Sequence, residues 1–89
     1  MPYIKDNRDR YDWISDNLAA EISDSGLTGN LNYFLYRTFL KLKQLGVVKN
    51  YKTYSRFLAE LNESMHEIRR RELAKYEDEK IEENGDVEV

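Results

Sequence analysis

The amino-acid sequence predicts an all-α protein: a three-helix bundle with a long third helix that assembles as a homo-oligomer. Apolar residues recur every three or four positions in three separate segments, which is the spacing of one face of a helix. The 89 residues include one proline and four glycines, and each glycine follows or separates these segments. Because a chain of this length holds one domain, we predict a single helical domain over residues 1–83 and a frayed acidic C-terminus at 84–89.

The first helix is predicted to follow a cap at Asp6, whose carboxylate can accept hydrogen bonds from the backbone amides of the first turn. It should end at residues 23–26, since Gly26 can take the left-handed conformation that closes a helix. Four apolar residues spaced by three, four and four positions form its buried face: Tyr11, Ile14, Leu18 and Ile22.

The second helix is predicted from a cap at Thr28 to Leu45, with Gly46 as its stop. Its main apolar stripe consists of Leu31, Leu35, Thr38, Leu42 and Leu45, widened by Phe34 and Phe39. A second set lies away from that stripe: Tyr33, Tyr36 and Leu40. A helix that is apolar on most of its circumference is central in its bundle or lies in an oligomer interface. Two other helices can hardly cover all its sides, so we predict a homo-oligomer.

The third helix is predicted from a cap at Asn50 or Thr53 to Asn84-Gly85. Its stripe consists of Tyr54, Phe57, Leu58, Leu61, Met65 and Ile68, and it weakens beyond Ile68 because Leu73 is rotated off it. About 30 residues give a length of roughly 45 Å at 1.5 Å per residue. We therefore expect its C-terminal half to project from the body or to pack on another subunit.

The formal net charge of −3 conceals a segregated pattern. Residues 1–24 carry −3, residues 25–59 contain six bases and no acid, and residues 60–89 carry −6. Such segregation indicates either attraction within the chain or a charged face for a partner. The acidic run at 76–89 is typical of a solvated interaction tail, and it could also occupy a basic groove on another protein.

The sequence carries no signal for a membrane or a secretory route. No apolar run approaches the length of about 20 residues that a membrane span needs, and no signal-peptide core follows the N-terminus. Cysteine is absent, which excludes disulfides and thiolate metal sites. We therefore predict a cytoplasmic protein.

Three stretches carry a resemblance to a known family: the opening Met1-Pro2-Tyr3-Ile4-Lys5 with Asp9-Arg10, the element Asn30-Leu31-Asn32-Tyr33, and the closing run from Tyr76 to Val87. They resemble a family of small prokaryotic and phage proteins that is a domain of unknown function. The resemblance implies a phage or bacterial cytoplasmic setting and transfers no catalytic residue. Lys75 stands where the family has a proline, which favours an uninterrupted third helix here.

Catalytic chemistry has little support in this sequence. The chain has no cysteine, no Gly-x-Ser-x-Gly elbow, no glycine-rich phosphate loop and a single histidine. We therefore predict a protein that is not an enzyme and needs no cofactor. The Glu63-x-x-His66 spacing puts a carboxylate and an imidazole on one helix face, as in di-iron bundles. A metal site would need a symmetric dimer, and the simpler interpretation is a charged, solvated helix face.

The acid-free segment holds the most informative candidates for ligand binding. Lys49, Lys52 and Arg56 alternate with aromatic residues that include Tyr51, a pattern that suits phosphate contact with base stacking. The alternative is that these cations pair with the acids of the first helix or of the C-terminal run. A second basic cluster, Arg69, Arg70 and Arg71, is the next candidate for binding a phosphate ligand. The simpler interpretation is a solvated helix face with helix pairs such as Glu67–Arg71.

We therefore predict a non-enzymatic helical binding or accessory protein, encoded by a phage or a bacterium and acting on a host protein. Its first expected partner is a second copy of itself. The alternative is an oligomer that sequesters a nucleotide or cyclic nucleotide on the basic band, and a weaker alternative is a di-metal helical bundle. Duplex DNA is disfavoured as a partner, because its binding depends on neutralising many phosphates and the net charge is negative.

Overall fold

The computed structural model describes residues 4–87, all of whose regular structure is helical. The elements are α1 (Arg8–Ser25), α2 (Asn30–Gln44), α3 (Tyr51–Ile68), a π-helical turn (Arg69–Leu73) and α4 (Ala74–Asn84). This confirms the all-α class and the three helices, the third being α3, the π-helical turn and α4 in direct succession. The opening Met1-Pro2-Tyr3 and the last two residues of the predicted frayed C-terminus lie outside the described range.

Backbone contacts group the described residues into two units, 4–54 and 55–87. The first unit holds α1, α2, the two turns and the first residues of α3. The second unit holds the remainder of the third helix. The packing of the helices into one bundle and one domain stays a prediction.

The start of α1 differs from the prediction. Asn7, not Asp6, precedes the helix, with a left-handed φ of 64° and no side-chain hydrogen bond to the helix amides. Asparagine is one of the few residues that take this conformation readily. The end of α1 is as predicted, because Gly26 has a φ of 97° and its N–H donates to the carbonyl of Ile22 at 2.7 Å.

The turn between α1 and α2 is closed by Asn30, for which the sequence pattern predicted no structural role. The residue before α2 is Gly29 rather than the predicted Thr28. The side-chain amide of Asn30 donates to the carbonyls of Ser25 and Gly26, at 3.2 and 2.8 Å. Carbonyls at a helix end lack partners within the helix, so this side chain joins the end of α1 to the start of α2.

The end of α2 is a complete Schellman motif. Gly46 has a φ of 78°, its N–H donates to the carbonyl of Lys43 at 3.1 Å, and the N–H of Val47 donates to the carbonyl of Leu42 at 2.9 Å. The chain then turns Val48 inward, with 4% of its surface exposed. Val48 is the one buried residue among those described.

A reciprocal pair of side chains starts α3. The amide of Thr53 donates to Asn50 Oδ1 at 3.0 Å, and the amides of Lys49 and Asn50 donate to Thr53 Oγ1 at 2.8 and 3.0 Å. This arrangement has the logic of a capping box. Both predicted caps therefore contribute, and α3 begins at Tyr51.

The apolar stripe of α2 is only half-buried in the unit 4–54. Its shielded members are Phe34, Leu35, Thr38, Phe39 and Leu42, whereas Leu31 and Leu45 at its ends are exposed. Phe39 contacts Tyr54 edge to face, with ring centroids 5.5 Å apart. In the unit 55–87 no described residue is buried.

The third helix is continuous across Lys75, as predicted, and no irregular segment lies between residues 72 and 78. The π-helical turn at Arg69–Leu73 was not predicted. No helix in the described range combines the length and apolar character that crossing a bilayer requires.

Candidate functional site

An open apolar cleft lies between α1 and α2. It has a volume of about 490 Å³. Its apolar lining comes from both helices: Trp13, Ile14, Leu18, Ile22, Tyr33 and Phe34. Trp13 remains 68% exposed although it is the largest apolar side chain of the protein. A cleft lined by aromatic and branched side chains is the usual form of a groove that accepts an amphipathic helix.

This cleft was not predicted from the sequence pattern. Three of its α1 lining residues, Ile14, Leu18 and Ile22, belong to the predicted apolar face of the first helix, and Tyr33 was predicted to lie away from the main stripe of α2. Only the position of the α1–α2 turn brings the two sets together. The signal available in the sequence was Trp13, which lies beside the α1 stripe rather than on it, although tryptophan is highly buried on average.

The basic band consists of Lys49, Tyr51, Lys52 and Arg56. All four side chains are exposed, and Tyr51 is 87% exposed. Within residues 4–54, none of the described ion pairs joins a carboxylate of α1 to a cation of α2 or of the following turn. The predicted pairing of the band with the first helix is therefore not formed in this unit.

The helix start beside the basic band is less open to anions than the sequence suggested. A helix N-terminus attracts an anion through amides that lack partners within the helix. Here Asn50 Oδ1 accepts the amide of Thr53, and Thr53 Oγ1 accepts the amides of Lys49 and Asn50. The cap therefore occupies three of the backbone amides that could otherwise contact a phosphate at this band.

The second basic cluster, Arg69–Arg71, lies in the π-helical turn. Arg70 donates to Glu67 Oε1 at 2.7 and 3.0 Å, and Arg71 Nε lies 3.1 Å from Glu67 Oε2. The predicted Glu67–Arg71 pair is confirmed, and Arg70 also pairs with Glu67. The carboxylate of Glu67 therefore holds two of the three arginines, while Arg69 is exposed.

The candidate metal ligands Glu63 and His66 are both exposed on α3. Across residues 4–87, no group of three or more histidine, aspartate or glutamate side chains is placed to hold a metal ion. A site built on these two side chains would need ligands from a second chain, and it stays a prediction.

Comparisons with known proteins show the family of the chain and nothing of its activity. The family model described as "Domain of unknown function (DUF6899)" matches residues 1–87. The chain therefore belongs to this family, which confirms the predicted membership of a family that is a domain of unknown function. No curated protein and no solved structure matches it.

Proposed function

We propose that this member of a family of unknown function is a non-enzymatic helical binding protein that self-assembles and docks onto another protein. Its setting is the cytoplasm of a bacterium, and its gene belongs to the bacterium or to a phage. The observation that carries the proposal is a contrast within residues 4–87: Val48 is the one residue buried there, whereas all three helices expose many large apolar side chains.

Exposed apolar side chains in each unit support self-assembly. In residues 4–54, Trp13, Tyr33 and Leu45 are each at least 68% exposed, and in residues 55–87 Leu58 and Ile68 are at least 60% exposed. A large obligate interface takes about 1,000–2,500 Å² from each partner, so burial of such side chains between chains can supply an apolar core.

The α1–α2 cleft is the surface that we propose for the protein partner. The cleft is apolar inside, and α1 carries five acids against two arginines, Arg8 and Arg10. The complementary partner is therefore an amphipathic helix with an apolar face and basic edges.

Native mass spectrometry of untagged protein, with sedimentation at micromolar concentration, tests self-assembly. We expect species that are multiples of the 10.6 kDa chain. A sample that sediments only as the single chain would overturn this part of the proposal. The same spectrum reports any metal ion or nucleotide that remains bound after purification.

Tryptophan fluorescence tests the cleft, because the chain has a single tryptophan and Trp13 lines the cleft. The probe is a synthetic amphipathic helix of leucine and lysine, and its control has glutamate in place of lysine. We expect the lysine peptide to shift the emission to shorter wavelength in a saturable manner and the glutamate peptide to leave it unchanged. Equal responses to the two peptides, or none to either, would contradict the assignment of the cleft.

The alternative is an oligomer that sequesters a nucleotide at the basic band. The 87% exposure of Tyr51, which lies between Lys49 and Lys52, favours it, because such a ring offers a stacking surface beside two cations. Calorimetry with mono-, di- and cyclic nucleotides at low salt is the test. Measurable heat that disappears when Lys49, Lys52 and Arg56 are replaced by alanine supports the alternative, and no heat from the wild type removes it.

A further inference from the structure

The apolar stripe of the third helix continues through the π-helical turn. In an uninterrupted α-helix Leu73 would lie about 140° from Ile68 and Tyr76 about 80° from it, at 100° per residue. A π-helical turn accommodates one extra residue. With that residue absorbed at Arg69–Leu73, Leu73 lies within about 40° of Ile68 and Tyr76 within about 20°.

The turn therefore produces one stripe where the sequence pattern alone shows a break. The stripe consists of Leu58, Leu61, Met65, Ile68, Leu73 and Tyr76. Five of the six side chains are exposed, Leu58 by 64%, and Leu61 is half-buried. A helix with a continuous exposed stripe of this kind needs a partner helix along its length.

The charges along the same helix identify the partner. They alternate in four blocks: +2 over residues 51–59, −3 over 60–68, +3 over 69–75 and −4 over 76–84. The middle of the helix falls between residues 67 and 68. When a second copy runs antiparallel about that point, residues 51–59 face residues 76–84, and residues 60–66 face residues 69–75. Every block then meets one of opposite sign, whereas a parallel copy brings like charges together.

We infer that two copies of this chain pair antiparallel through their third helices, and that the π-helical turn keeps Leu73 and Tyr76 in the interface. The inference rests on the self-assembly proposed above and adds the surface, the orientation and the role of the turn. The helix dipoles also favour the antiparallel arrangement, because each positive N-terminus then lies beside a negative C-terminus.

Distances between spin labels test the orientation in the full chain, since the sequence has no cysteine and a single cysteine can be introduced at will. Suitable positions lie on the side of the helix away from the stripe: Ala59→Cys, His66→Cys and Asp78→Cys. Antiparallel pairing separates the two labels along the helix axis by about 25, 5 and 30 Å respectively, at 1.5 Å per residue. Parallel pairing gives the same distance at all three positions.

The outcomes separate this inference from the proposed function. A dimer with the shortest label distance at position 66 supports antiparallel pairing. An oligomer whose three distances are equal overturns the inference and leaves self-assembly intact. A sample that contains only monomer overturns both.

A matched pair of length variants tests the π-helical turn. Deletion of Arg70 removes the extra residue, so the stripe stays in phase, and we expect a dimer dissociation constant within about threefold of the wild type, since surface changes usually have small effects. Insertion of one alanine after Arg70 rotates Leu73 and Tyr76 off the stripe. Dimerisation should then weaken by at least about tenfold, because two large apolar side chains leave the interface. An insertion variant that dimerises as well as the deletion variant overturns the role of the turn.

Discussion

The two units of the chain are stabilised in different ways. In residues 4–54 the turns are closed by specific hydrogen bonds from Asn30, from the Schellman motif at Gly46 and between Asn50 and Thr53. This unit also contains Val48 and the contact between Phe39 and Tyr54. In residues 55–87 one helical stretch runs to Asn84, no described residue is buried, and the described ion pairs join neighbouring turns of the helix.

The difference indicates where the free energy of folding comes from in each unit. Helix propensity and pairs between neighbouring turns contribute only tenths of a kcal/mol each, and most helix stability in proteins comes from tertiary packing of an apolar face. Within residues 55–87 no described residue is buried, and the antiparallel pairing proposed above would supply the packing of this apolar face. The comparison can be tested by disturbing each unit separately.

The largest effect is expected from a charge in the stripe of the second unit. Ile68→Asp should weaken self-association by at least about tenfold, since an apolar side chain of this size contributes about 1.5–3 kcal/mol when buried. Hydrogen exchange should then accelerate in residues 55–87 much more than in residues 30–48. The control is Ala59→Asp, which adds the same charge on the other side of the helix. Equal loss of protection from hydrogen exchange in both units would show that residues 55–87 do not depend on self-association more than residues 30–48 do.

A cavity at the buried residue should disturb the first unit. Val48→Ala should lower the free energy of unfolding by about 2 kcal/mol, because it leaves unfilled space among its neighbours. Val47→Ala removes the same two methyl groups from a side chain that is 55% exposed, and it should change stability by no more than about 0.5 kcal/mol. Thermal unfolding followed by circular dichroism measures both. Equal changes in the free energy of unfolding for the two variants would show that burial of Val48 does not stabilise the first unit.

Removal of the reciprocal cap of α3 should lower the free energy of unfolding by a smaller amount. Thr53→Ala removes the hydroxyl that accepts two amides, and a lost cap costs about 0.5–2 kcal/mol. Thr28→Ala removes a hydroxyl that makes no described capping bond to α2, so we expect it to be near neutral. Urea titration distinguishes the two variants, and a larger loss for Thr28→Ala would move the capping role to the first turn.

The smallest effect is expected at Glu67. Glu67→Gln weakens the pairs with Arg70 and Arg71, which are worth about 0.2–0.5 kcal/mol each on an exposed helix. The loss should shrink in high salt, because screening already weakens such pairs. A loss above 2 kcal/mol that salt does not reduce would show that Glu67 has a buried role in the assembly.

Periodicity predicted the helices well and their first residues poorly. The glycines at 26, 46 and 85 ended helices as predicted, since each has the positive φ that a helix end favours. The residues predicted to precede α1 and α2 were each wrong by one position, with Asn7 and Gly29 in place of Asp6 and Thr28. Several polar residues compete to precede a helix, and composition alone does not rank them.

The proximity of candidate residues was likewise predictable only where they are close together in the sequence. Lys49, Tyr51 and Lys52 lie within four consecutive positions, so their proximity followed from the sequence itself. The α1–α2 cleft depends on residues about 20 positions apart, and it could not be predicted without the geometry of the turn that Asn30 closes.

The sequence by itself determined the helical class, the number of helices and the places where they end. These features depend on local periodicity and on backbone preferences of single residues, which act over three or four positions. Only the tertiary structure decided that Val48 is buried, that Trp13 lines a cleft and that a π-helical turn returns Leu73 and Tyr76 to the stripe. The first two features depend on contacts between side chains that are far apart in sequence, and the third depends on the alignment of successive turns along one long helix. Packing, rather than the local preference of single residues, determines both.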